Sequence, residues 1–122
     1  MPKVEKKVLV AESWNLEGFY ATLRAQDRSP STLRAYRSDL EQFVAWAGTH
    51  HAESPEKINK RLLREYLAHM TERGDERTSI MRRRASLRSY FVWLVERGHL
   101  SESPAARLSA PRPHAQLPKI VV

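Results

Sequence analysis

The sequence predicts an all-α protein: a four-helix bundle followed by a short fifth helix near the C-terminus. Three observations carry this reading. Apolar side chains recur at three- and four-residue spacings through four separate segments, the pattern of a helix with one buried face. Gly48, Gly74 and Gly98 each follow one of those segments, where a positive-φ residue closes a helix without strain. Ser29-Pro30, Ser54-Pro55 and Ser103-Pro104 stand where helices should begin, the serine able to cap and the proline already set for a first turn. Nothing alternates with period two for long enough to form a strand; Lys6 to Val10 comes nearest and reads as tail.

The first helix is expected from about Ser13 to Ala25, with Trp14, Phe19, Tyr20 and Leu23 turned inward. The second runs from Pro30 to Ala47 on a stripe of Leu33, Tyr36, Leu40, Phe43, Val44 and Ala47. The third runs from Lys57 to Arg73 on Ile58, Leu62, Leu63, Tyr66, Leu67 and Met70. The fourth runs from Thr78 to Arg97, with Ile80, Leu87, Phe91 and Leu94 inward and Gly98 as its stop. Connections are short, so successive helices should pack as antiparallel hairpins. Beyond Leu108, Ala110-Pro111-Arg112-Pro113 and Leu117-Pro118-Lys119 cannot continue a helix and read as an extended linker. The expected organisation is a tail at residues 1–12, one domain at 13–109, and a linker at 110–122 leading to something further. A chain of 122 residues can bury a core without disulfide or metal staples.

Charge narrows the function. Lys and Arg number 21 against 14 acidic residues, a formal charge of +7 with a pI near 10.1. Between Glu76 and Glu96 lie Arg77, Arg82, Arg83, Arg84 and Arg88 and no acid. Arginines of one sign repel one another and gain nothing from a core, so the fourth helix reads as built to lie against phosphates. Zero cysteines exclude disulfides and thiolate metal sites, which suits a reducing cytoplasm. Near the N-terminus only Val8-Leu9-Val10 is apolar between charged residues, too little for a signal peptide or a membrane span.

Enzyme chemistry has no constellation here. His50, His51, His69, His99 and His114 form no i, i+4 pair and have no carboxylate at metal-ligand spacing. There is no glycine-rich phosphate loop and no Gly-x-Ser-x-Gly elbow. Asp75-Glu76 and Glu53/Glu56 sit by helix starts, where they complement the macrodipole. No catalytic residue, metal, cofactor or small-molecule substrate is expected.

Binding chemistry is better represented. With positions 80, 87, 91 and 94 inward, Thr78, Ser79, Arg82, Arg83, Ser86 and Ser89 should face outward on the fourth helix. Arginine can grip guanine N7 and O6 or fork onto a phosphate, and hydroxyls serve either purpose. The second helix offers Ser31, Thr32, Arg34, Arg37 and Ser38 at its N-terminal turns, where backbone amides also favour a phosphate, although Ser31 and Thr32 are equally placed to cap. Two such faces together fit across a major groove. Trp14, Trp46, Trp93, Phe91 and Tyr90 fall on or beside the apolar stripes, hence in the core rather than on a platform for unstacked bases. Double-stranded DNA is the expected partner. Replacing Arg83 or Arg88 should weaken binding and barely affect stability.

The run Ser29-Pro30-Ser31-Thr32-Leu33-Arg34-Ala35-Tyr36-Arg37-Ser38-Asp39-Leu40-Glu41-Gln42-Phe43 resembles the S-x-x-T-x-x-x-Y-x-x-D-L-x-x-F signature of the N-terminal core-binding domain of tyrosine recombinases, the phage-integrase family. Leu87-Arg88-Ser89-Tyr90-Phe91-Val92-Trp93-Leu94 is similar to the family's L-R-S-F-F-x-W-L segment, especially in its Xer-like branch. Ser103-Pro104-Ala105, Pro111 and Leu117-Pro118-Lys119 resemble the N-P-A … P … L-P-K passage into its catalytic domain. The likeness spans about Trp14 to Lys119.

That resemblance implies a SAM-like bundle of two crossed helical hairpins, one half of a C-shaped clamp on duplex DNA, with its second and fourth helices at the major groove. It implies Thr32, Arg37, Arg83 and Arg88 as DNA contacts, to which helix geometry adds Arg82 and Ser86. Arg84 stands where relatives often carry an aliphatic core residue, so either its stem snorkels along the bundle edge or the face is locally rotated. The family's catalytic arginine, lysine, His-x-x-Arg pair, further histidine and tyrosine nucleophile belong to a C-terminal domain. No histidine here has arginine three residues later, and Tyr20, Tyr36, Tyr66 and Tyr90 lie inside helical patterns. The implied role is binding DNA for integration or recombination, including chromosome dimer resolution, beside other recombinase protomers and without cutting by this part alone. The alternatives are a helical protein-interaction domain docking an acidic partner and, more weakly, a helix-turn-helix repressor.

Overall fold

Helix starts follow local capping chemistry. In the computed structural model, which describes residues 13–108, α1 runs Leu16–Ala25, α2 Pro30–Thr49, α3 Lys60–Glu72 and α4 Arg77–Glu96, with a single 3-10 turn at Pro55–Lys57. No strand occurs among the described residues. The tail at 1–12 and the linker at 110–122 expected from sequence lie outside them. Ser29 caps α2, its Oγ accepting from the Thr32 amide at 3.1 Å, and Pro30 fills the first position.

Four expected boundaries are corrected. The first helix begins at Leu16 rather than Ser13, because Asn15 before it takes the left-handed conformation at φ 54°. The third helix begins at Lys60 rather than Lys57, because Ser54-Pro55 opens only the 3-10 turn and Ile58 returns to extended backbone. Asn59 then caps α3, its Oδ1 accepting from Leu62 N at 2.8 Å. Gly74 and Gly98 do close α3 and α4 at φ 89° and 78°, each with the two backbone bonds of a Schellman ending: Asp75 N to Met70 O with Gly74 N to Thr71 O, and His99 N to Leu94 O with Gly98 N to Val95 O. Gly48 does not: α2 runs through it to Thr49, and His51 takes the left-handed conformation instead at φ 64°. The short fifth helix is a hydrogen-bonded turn at residues 104–107, where Ser103 Oγ accepts from Ala105 N at 3.1 Å and Leu108 N donates to Ala105 O at 3.2 Å.

The packing joins an α1/α2 pair to an α3/α4 pair through α2 against α4. Phe43 of α2 is the hub, its ring edge-on to Trp14, to Tyr66 of α3 and to Phe91 of α4. Phe19 of α1 meets Tyr36 of α2 and Tyr90 of α4, each edge-to-face at 5.6 Å. Leu40, Leu63, Met70, Leu87 and Leu94 fill the space between these rings, and Ala105 and Leu108 of the final turn are buried with them. Tyr36 donates to Ser89 Oγ, while Ser86 donates to Asp39. As the number rises on α2 it falls on α4, so the two helices run antiparallel. The result is the all-helical bundle that the stripes predict.

Candidate nucleic-acid interface

Asp39 follows Tyr36 by three residues and precedes Leu40, which puts it on the inner edge of α2, where only 1% of it is exposed. A carboxylate so placed needs donors on the spot. Arg82 supplies two, Nε at 3.1 Å and an Nη at 2.6 Å, and the Ser86 hydroxyl a third at 2.8 Å. The Arg83 Nε lies 3.8 Å away. Three residues of α4 thus close on one carboxylate of α2, and this sets the two helices side by side.

Arg83 extends the network away from the surface. Its side chain is 14% exposed, and its Nη1 donates to Asp75 Oδ2 at 3.0 Å and to the Met70 sulfur at 3.3 Å. Asp75 also accepts two bonds from Arg73. The hydrogen bonds from Arg73 hold the Asp75 carboxyl below its ordinary range, and the same bonds raise the Arg73 guanidinium above its own. Arg84, half-buried, donates to the Leu108 carbonyl at 2.8 Å, so its stem lies along the bundle and its charged end ties down the final turn.

Two outward placements on α4 are therefore corrected. Ser86 is buried and Arg83 nearly so. The inward set of Ile80, Leu87, Phe91 and Leu94 marks only one flank of a helix that packs against α2 as well as α3. The second flank buries Ser86, Tyr90 and Trp93 too, along with most of Arg83. Arg37 is exposed, yet it pairs with Glu17 at 3.2 Å and Glu41 at 3.7 Å and lies 4.4 Å over the Tyr20 ring, so its charge is balanced where it stands.

What remains outward is coherent. Thr78, Arg82, Ala85 and Ser89 recur at helical spacing and are exposed on α4, with Arg88 beside them; Ser79 is half-buried. Ser31, Arg34 and Ser38 are exposed in the same way on α2, and Thr32, half-buried, accepts from the Ser29 hydroxyl at 2.9 Å. Arg34 and Arg88 make no hydrogen bond or ion pair with another described residue. The register that sets residue 36 beside 89 and 39 beside 86 brings 34 and 88 within one helical turn of the same level.

The aromatic residues lie where the stripes put them. Trp14, Tyr90, Phe91 and Trp93 are buried, and Trp46 is half-buried with its ring stacked on His50 at 4.0 Å. Burial pushes the Tyr20, Tyr66 and Tyr90 hydroxyls above the ordinary phenol range. Among the described residues no group of three His, Asp or Glu could hold a metal ion, and no helix is long and apolar enough to cross a membrane. Sequence reasoning missed the part played by Asp39 and Asp75. The position of Asp39 at the edge of a well-marked stripe was the available signal; Asp75 was read only as complementing a helix start, and nothing local marks its tie to Arg83 on the next helix.

A helical bundle whose second and fourth helices are clamped together with arginines on their outer sides is the class defined so far. Residues 16–98 match the phage integrase, N-terminal SAM-like domain, and the chain belongs to that family. It is similar to curated proteins named tyrosine recombinase XerC. The one from Xanthomonas campestris pv. campestris (strain B100) is 35% identical over 107 residues, which cover 87% of this chain and 33% of that protein. The one from Xylella fastidiosa (strain M23) is 34% identical over 107 residues, covering 87% and 36%. The one from Chlorobaculum parvum (strain DSM 263 / NCIMB 8327) is 34% identical over 113 residues, covering 87% and 34%. The chain thus spans about a third of the length of these relatives. No solved structure matches it.

Proposed function

We propose that this chain is the DNA-gripping N-terminal domain of a site-specific tyrosine recombinase and that it holds duplex DNA with the outer faces of α2 and α4. The observation that carries the reading is the closure of Arg82 and Ser86 on Asp39, which fixes α2 and α4 as one pair. On it Arg34 and Arg88 offer uncompensated charge to phosphates, and Ser31, Thr32 and Thr78 offer hydroxyls, with the α2 N-terminus adding amide donors. Arg37, Arg83 and Ser86 leave the contact set, because Glu17, Glu41, Asp75 and Asp39 already engage them. Strand cutting and rejoining in DNA integration or recombination would belong to a separate catalytic domain, and other recombinase protomers would share the duplex. A protein with this task works in the cytoplasm.

Titration of a fluorescent duplex of about three helical turns tests the reading, with the matching single strand and an acidic polypeptide as competitors. The expected result is duplex binding at low salt in roughly the 10⁻⁴ to 10⁻⁶ M range of nonspecific DNA affinity, displaced poorly by both competitors. No duplex binding at low salt contradicts it. Equal displacement by the acidic polypeptide would mark a protein-docking face instead.

A further inference from the structure

We propose that Arg82 reads a guanine base and that the buried Asp39 is the positioning residue that aims it. This inference rests on the duplex-binding reading above and adds what that reading leaves open, a source of base preference. Asp39 occupies one edge of the Arg82 guanidinium, the edge formed by Nε and one Nη. The opposite edge, which carries Nη1, makes no hydrogen bond within the described residues, and 51% of the side chain is open to solvent. Asp39 is itself fixed by burial and by Ser86, so the guanidinium plane is set before any DNA arrives. The outer edge presents two parallel N–H groups, the pattern that guanine O6 and N7 accept together in the major groove.

Charge separates this role from a phosphate contact. The carboxylate of Asp39 offsets the positive charge of Arg82, and Arg83, the other cation near Asp39, is turned to Asp75. A compensated arginine releases few counterions when it meets a phosphate, but its hydrogen bonds keep their direction. Arg34 and Arg88 have the reverse character, full charge and no fixed plane, which suits phosphates. Arg82 therefore contributes discrimination, and the other two contribute affinity.

Selection from a duplex pool with a randomised window, using the full 122-residue chain and sequencing bound against input DNA, provides the test. The expected result is a G·C preference at one position. Substituting 7-deazaguanine there, which lacks the N7 acceptor, should weaken binding by the unmodified chain about 10-fold. In Arg82→Lys both the preference and the 7-deazaguanine penalty should shrink toward nothing. Asp39→Asn removes the compensating charge, so it should flatten the preference at that position and steepen the salt dependence by about 0.9 in log–log slope. A residue that merely held the fold would lower binding in every respect. If Asp39→Asn does not fold, the unmodified chain and Arg82→Lys decide the matter. A preference that survives Arg82→Lys, indifference to 7-deazaguanine, or duplex binding with no base preference overturns the inference and leaves the duplex reading standing. Failure of the unmodified chain to bind any duplex overturns both.

Discussion

A charge in a protein interior is tolerated only when its partners are already in place, and this rule sorts the arginines of α4. Arg83 looks, by sequence, like one more cation on a basic face. Its neighbours Met70, Asp75 and Asp39 make it part of the interior. Arg88, five residues on, is exposed and meets no carboxylate among the described residues. The expectation that both could be removed at no structural cost therefore changes for Arg83 and stays an expectation for Arg88. Arg83→Ala should lower stability by about 1.5–3 kcal/mol, the usual cost of losing hydrogen bonds to charged partners, whereas Arg88→Ala should stay within about 0.5 kcal/mol. Urea unfolding followed by circular dichroism separates the two. The distinction was not legible in sequence, because Arg83 is held by Met70 and Asp75, 13 and 8 residues away across the turn between α3 and α4, and no helical period couples them. The core aromatics were legible, because each lies on or beside a stripe whose period is set by the helix itself.

At the scale of the element, the starts of helices were easier to read than the ends. Ser29-Pro30 does what the pair predicts, since a serine hydroxyl reaches the third amide of the helix it precedes. Ser54-Pro55 does not, because Asn59 further along offers a better acceptor and α3 begins there. Asn59→Ala should cost about 1 kcal/mol, as the loss of a helix cap usually does, read as a lowered midpoint in thermal or urea unfolding; an unchanged midpoint would show that Ile58 and Leu62 alone fix the start. Gly48 misled for a related reason. A Schellman ending needs the left-handed residue two places beyond the last helical residue, and at the end of α2 the place falls to His51. The antiparallel pairing of α2 with α4 was not foreseen; the family likeness implied only two crossed hairpins with both helices toward DNA. Its physical cause, a buried carboxylate shared by two helices, appears only in three dimensions.

For the whole molecule, two consequences follow from what is buried and what is exposed. Tyr20, Tyr66 and Tyr90 are held above the phenol range by burial. The unfolded chain releases these protons near pH 10 and the folded chain does not. Folding stability is therefore full below about pH 10 and should fall as the pH rises beyond it, with tyrosinate absorbance growing alongside the loss of helix. Tyrosinate forming at more than one of the four tyrosines well before the helices melt would contradict the burial of these three. The exposed side gives the decisive test. If α2 and α4 form one DNA-facing surface, Arg34 and Arg88 contact phosphates together. Duplex affinity measured across a series of salt concentrations should then lose about 1.8 from its log–log slope in Arg34→Ala/Arg88→Ala, two contacts at about 0.9 each, with the melting temperature unchanged. A slope identical to that of the unmodified chain would show that the paired helices are not where DNA is held.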